Sequence, residues 1–150
     1  MNITEEIWRK TFVKNTYSSI RGRGIHKCAK DLYRDLQSDI EGTTYCLKID
    51  VHKFYPSLDH DILYNIIQKK IKDKWLLELL KGIIDSANGV PIGNYLSQFF
   101  ANLYLAYFDH WIKEDVKCKH YFRYADDIVI LDNNKQHLRN ILIAIKFYFH

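Results

Sequence analysis

Two adjacent carboxylates, Asp126 and Asp127, stand between two short apolar runs at 121–125 and 128–131. That pattern predicts two strands folded about a tight hairpin with the acids at its tip. Side by side they repel, and unless the tip is fully solvated a cation must offset that cost. Asp is also common in turns that do no chemistry, so the pair alone leaves both readings open. Asp50 shifts the balance. It ends a run at 45–51 in which Tyr45, Leu47, Ile49 and Val51 alternate with Cys46, Lys48 and Asp50, the period of a half-buried strand. If this strand lies beside the hairpin, Asp50 and Asp126 meet at one edge. Three carboxylates could then hold two divalent ions about 3.5–4 Å apart, an arrangement suited to phosphoryl transfer.

The elements that must position these acids read as one unit. The chain has 150 residues, the length of one ordinary domain, with 47% hydrophobic and 27% charged residues. That is enough apolar material for a core and excludes disorder as the dominant state. Only 6 Gly and 2 Pro interrupt it, which favours long regular elements. A short helix is expected over 5–14 behind Thr4 as N-cap, and another over 26–40. Asp59 is expected to cap a helix running to about 71, and a second helix is expected from Asp73 to about 85. After the turn-rich stretch 88–93, one long helix is expected over 95–115, apolar on most sides. A closing helix is expected over 135–149.

The net charge of +4 is compatible with a polyanionic partner without requiring one. Three cysteines, Cys28, Cys46 and Cys118, form no CxxC pair, so neither a disulfide scaffold nor a zinc site is expected. The acidic N-terminus does not resemble a signal peptide, and no apolar run is long enough to span a bilayer. These features point to a reduced, cytoplasmic chain with no membrane association.

Four stretches together carry a resemblance. Lys48-Ile49-Asp50-Val51-His52-Lys53-Phe54-Tyr55-Pro56-Ser57-Leu58-Asp59 resembles motif A of reverse transcriptases of the group II intron, retron and diversity-generating type. Tyr124-Ala125-Asp126-Asp127 matches that family's motif C. Gly89-Val90-Pro91-Ile92-Gly93-Asn94-Tyr95-Leu96-Ser97-Gln98 is similar to its motif B, and 17–26, with Arg21-Gly22-Arg23-Gly24, to the fingers motif before motif A. Each match is weak alone. Their order along 17–131 makes the set specific.

The resemblance implies an α+β fold: a polymerase palm, with a ferredoxin-like antiparallel sheet packed on helices, and partial fingers. It divides the chain into partial fingers at about 1–44 and a palm at 45–150, with a helical insertion at 59–88. It implies that Asp50, Asp126 and Asp127 hold two Mg2+ ions (Mn2+ being a substitute), with the Val51 carbonyl as an extra ligand. Tyr55, with Phe54 before it, stands at the family's aromatic steric gate, where a ring would clash with a ribose 2′-hydroxyl and favour dNTPs. Pro91, Ile92 and Gly93 would lie against the incoming base pair, while Ser97, Gln98, Tyr124 and Ala125 would border the nucleic acid. Arg21 and Arg23 could reach triphosphate or template phosphates, although a solvated basic turn explains them equally well. Lys69, Lys70, Lys72 and Lys74 read as a solvated face, and Arg123, two residues before the turn, could equally pair with a local acid, its role undecided. Ile92 departs from the Gln that many relatives carry, and Gln98 from their Pro. Both departures are similar to the diversity-generating subgroup.

The implied function is RNA-directed DNA polymerisation from dNTPs on an RNA template and primer. The thumb and the first fingers motif have no counterpart in the sequence, so the chain reads as a catalytic-core fragment with weak or absent activity alone. Whether an accessory protein completes the site stays open. Two other functions compete: an RNA-directed RNA polymerase palm, and a non-catalytic RNA-binding module of palm shape.

Overall fold

A computed structural model describes residues 2–90 and 95–149. Helices α1 (Asn2–Arg9) and α2 (Ile25–Ser38) precede strand β1 (Tyr45–Asp50). A 3-10 turn (Tyr55–Ser57) leads to α3 (His60–Lys70) and α4 (Lys74–Ile84). Then come α5 (Tyr95–Tyr104), α6 (Ala106–Glu114), β2 (His120–Tyr124), β3 (Asp127–Asp132) and α7 (Lys135–Tyr148). The expected Asp59 cap is present, accepting from the Ile62 amide at 2.9 Å, and Asp73 caps α4 in the same way, accepting from the Leu76 amide at 2.8 Å. Asn134 caps α7 by accepting from the amides of Gln136 and His137.

Three expectations need correction. The first helix begins at Asn2, so Thr4 lies inside it rather than ahead of it, and it stops at Arg9 because the chain turns there toward the sheet. The long helix at 95–115 is broken at Leu105 (φ −87°, ψ −1°). The break redirects α6 so that Asp109 lies under β2, a tertiary demand with no Pro or Gly to announce it. The alternation puts Tyr45 in the core, but at the outer end of β1 it is 42% exposed.

The sheet is antiparallel in the order β1-β3-β2. Register partners share a face, so Leu47 and Ile49 lie with Ile130 and Ile128 and with Tyr121 and Arg123. This face packs on α7 and the helices α3–α6 around Leu63, Ile67, Phe100, Leu103 and Phe108. The opposite face is shorter in apolar cover. There Phe122, Leu131 and Val129 meet Tyr17 and the α2 side chains Cys28 and Leu32. The free edge of β2 is bridged by the N-terminal segment: Thr16 pairs with Arg123 in parallel, with Arg123 N to Asn15 O at 2.9 Å and Tyr17 N to Arg123 O at 3.0 Å.

Charged pairs fasten α2 and the turn after it to the sheet. His120 is buried between Asp35 and Asp39, with both ring nitrogens at 2.9 Å from a carboxylate oxygen, and Lys119 also pairs with Asp39. The Lys119 ammonium, then His120, hold the Asp39 carboxyl down from 3.8 to about 2. Asp31 is also lowered: burial alone would raise it, but hydrogen bonds from Lys27 and Tyr17 outweigh that. Carboxyls depressed on folding stabilise the fold above their unfolded values and lose that contribution as acid protonates them. The charged attachment of α2 is therefore expected to weaken as acid protonates these carboxyls, from about pH 4 toward pH 2, while its apolar contacts remain. Amide spectra recorded through that window should show α2 resonances shifting before those of β3; simultaneous loss of both would refute the assignment.

Candidate active site

β1 ends where β3 begins. The register sets Asp50 directly opposite Asp127, and Tyr124 opposite Asp127 on the other side. Asp50 and Asp127 are both exposed, while Asp126 is half-buried. The expected hairpin is present with one refinement. Its turn is Ala125-Asp126, and Asp127 is already the first residue of β3. Ala125 adopts φ +54°, a left-handed conformation rare for a residue with a Cβ. Like charges directly opposed across a ladder destabilise it, and here Lys48 relieves the repulsion, its Nζ lying 3.2 Å from Asp127 Oδ1.

Among the described residues, no three Asp, Glu, His or Cys side chains already converge as a metal cluster. The backbone does bring Asp50, Asp126 and Asp127 to one end of the sheet. The donor set, carboxylate oxygens with the half-buried Val51 next in sequence, fits a hard divalent cation in kind.

Tyr55 stands beside this edge. Its phenol is half-buried and its pKa is raised, first by burial and then by the nearby Asp126 carboxylate, with Arg123 pulling the other way. Phe54 is buried in the core, 4% exposed, and meets the Tyr55 ring edge-on at 5.4 Å between centroids. Phe54 thus fixes Tyr55 from within.

The carbonyl of Tyr55 accepts from the Val90 amide at 3.0 Å, and Gly89 (φ +69°) lies against the same carbonyl. A Cβ on Gly89 would fall 2.0 Å from that oxygen. His60 completes this clamp, with Nε2 at 2.6 Å from Gly89 O and Nδ1 at 3.2 Å from Asp85. Gly89→Ala is expected to cost on the order of 2 kcal/mol, from backbone strain and the clash with Tyr55. A thermal melt measures it, and an unchanged melting temperature would contradict the clamp.

Pro91, Ile92 and Gly93 lie outside the described residues. Tyr124 is half-buried at the end of β2. Gln98 is exposed and hydrogen-bonded to Ser19, joining α5 to the fingers-like segment. Ser97 is buried, and its hydroxyl has no hydrogen-bond partner among the described residues. Arg21 is exposed, and its carbonyl accepts from Arg9 at 3.1 Å. Arg23 directs Nη1 at the carbonyls of Val13 (2.6 Å) and Thr16 (2.8 Å), so it holds its own backbone.

Sequence reasoning missed the buried group beneath the hairpin. Arg123 and Asp109 are both 0% exposed and meet through two short bonds, Nε to Oδ1 at 2.7 Å and Nη2 to Oδ2 at 2.6 Å. Burial alone would lower the Arg123 pKa, but the Asp109 carboxylate outweighs it and raises it. The Tyr121 hydroxyl, pushed well up by burial and then by Asp109, donates to the same carboxylate.

A sheet with paired helices behind it and acids gathered at one strand end is the architecture of a polymerase palm. The family model for reverse transcriptase (RNA-dependent DNA polymerase) matches residues 2–149. The chain therefore belongs to the reverse transcriptase family. It is similar to the 91 kDa protein in the cob intron of Schizosaccharomyces pombe, 23% identical over 122 residues, 74% of this chain and 15% of that protein. It is also similar to the COX1/OXI3 intron 2 protein of Saccharomyces cerevisiae, 29% identical over 84 residues, 46% of this chain and 10% of that protein. The matches thus span only a small part of these relatives' length. In fold it is similar to apo telomerase from Candida tropicalis truncated from its C-terminal domain, with TM-score 0.71 and 16% identity over 96% of this chain and 35% of that one. No helix among the described residues is long and apolar enough to cross a membrane.

Proposed function

We propose that this chain carries the catalytic centre of an RNA-directed DNA polymerase, with fingers at about 1–44 and a palm at 45–150. The observation that carries the reading is the direct opposition of Asp50 and Asp127, with Asp126 in the adjoining turn. Opposed like charges cost a ladder stability, a cost that Lys48 relieves here and a bound cation would relieve further. In this reading Asp50, Asp126 and Asp127, with the Val51 carbonyl, hold two Mg2+ ions. Bound there, the ions would supply Lewis-acid activation of the primer hydroxyl and charge neutralisation at the triphosphate.

The chain's own residues do the rest. Asp127 releases Lys48, whose exposed ion pair is weak. Tyr55, braced by Phe54 and Gly89, closes the space a ribose 2′-hydroxyl would need. Pro91, Ile92 and Gly93 are proposed to border the base pair, and Tyr124, Ala125 and Gln98 the nucleic acid. Ser97, buried as it is, supports that surface from below.

The test is primer extension on an RNA template with dNTPs and with rNTPs. Incorporation restricted to dNTPs, distributive rather than processive, and gained for rNTPs by Tyr55→Ala, is expected. Preference for rNTPs in the unaltered chain would favour an RNA polymerase palm. RNA binding indifferent to Asp126→Asn and Asp127→Asn, without incorporation, would favour a binding module.

A further inference from the structure

Arg123 is fixed from every side. Its main chain bonds Asn15 and Tyr17, and its guanidinium grips Asp109 on α6. The remaining nitrogen, Nη1, donates to Asn102 Oδ1 on α5 at 3.1 Å and to the Ala125 carbonyl at 2.9 Å. Asn102 in turn donates to Ser18 O at 2.7 Å, and Asp109 accepts from Thr16 Oγ1 at 2.8 Å. Asn102, Asp109, Tyr121 and Arg123 are all buried, so none can touch a nucleotide. They reach the surface at one point: the carbonyl of Ala125, the left-handed residue immediately before Asp126.

A buried ion pair is a poor device for stability alone, since apolar residues of similar volume do as well. What this one adds is direction. A guanidinium can hold a carboxylate with two donors and aim a third elsewhere, which an ammonium on a flexible stem cannot. Ala125 also needs holding, because its conformation is one that residues with a Cβ rarely keep unaided.

We propose that the Arg123–Asp109 pair, with Asn102, is the positioning device of the hairpin turn. It sets the place of Asp126 relative to Asp50 by holding the Ala125 carbonyl, and it ties that place to α5, α6 and the N-terminal segment. The proposal rests on the polymerase reading above, in which Asp126 is a metal ligand. Asp109 and Arg123 then act on the metal only through the turn.

The experiment is Mn2+ binding to the full chain, followed by the resonance of free Mn2+, for four proteins: wild type, Asp126→Asn, Arg123→Lys, and the apolar pair Asp109→Leu with Arg123→Met. Circular dichroism reports the folded fraction of each. Affinity per folded molecule is expected to fall at least about tenfold in Arg123→Lys and in the apolar pair, the effect of losing an outer support of a ligand. Wild-type affinity in either folded variant overturns the proposal.

If Asp126→Asn binds Mn2+ as well as wild type does, the polymerase reading itself fails. Hydrogen exchange on the wild-type chain keeps the proposal falsifiable even where the variants unfold. The Asp127 amide should exchange within about tenfold of the amides of Arg123 and Ile128, as one cooperative unit does. Much faster exchange at Asp127 would show a turn that nothing holds.

Discussion

Asp50→Asn is expected to remove nucleotide incorporation while leaving the chain at least as stable as before. The two effects have one cause. Asp50 lies opposite Asp127 in the β1–β3 ladder, and like charges so placed cost the fold about 0.2–1 kcal/mol. Asn keeps the shape and removes one charge, so the melting temperature should stay level or rise slightly. Incorporation should fall about a thousandfold or more, because a lost metal ligand removes several kcal/mol of transition-state stabilisation. Primer extension and a thermal melt on the same preparation check both halves. A variant that loses activity together with its melting temperature would make Asp50 a structural residue.

The second large effect is one of stability. Arg123→Ala or Asp109→Ala leaves a charged partner at 0% exposure without its counter-charge. The expected cost is about 3–5 kcal/mol, and at roughly 2–4 °C per kcal/mol for a chain of this size the melting temperature falls by about 6–20 °C. Removing both charges together, as Leu and Met, should return most of it. Calorimetry on the single and paired variants measures the difference. Additive losses in the pair would mean that Arg123 and Asp109 do not act as one group.

The features legible in the sequence are those written in local chemistry. Asp59 announces the start of α3 because a carboxylate before an apolar run satisfies orphan amides wherever it occurs. The alternation from Leu47 to Val51 announces a strand with one face inward, and two acids between apolar runs announce the hairpin. What could not be read depends on partners far along the chain. Nothing at Leu105 signals a break; the need to bring Asp109 under Arg123 does. For Arg123 a local acid is one open partner in the sequence, but that the acid is Asp109, with Asn102 and Ala125 gathered around the same guanidinium, shows only in the fold. His120 meets Asp35 and Asp39 some 80 positions away. Tyr45 obeys the alternation yet stays exposed at the strand's outer end.

The order β1-β3-β2 puts the strand that begins with Asp127 in the middle, with a neighbour fixing it on each side. Sliding β1 by one residue would turn Lys48 and Asp50 into the apolar interior and expose Leu47 and Ile49. Misaligned chains would thus be rejected by their own cores before they could assemble a faulty centre. In the polymerase reading, strand alignment and assembly of the acidic edge are therefore one event, and a slipped chain loses both together.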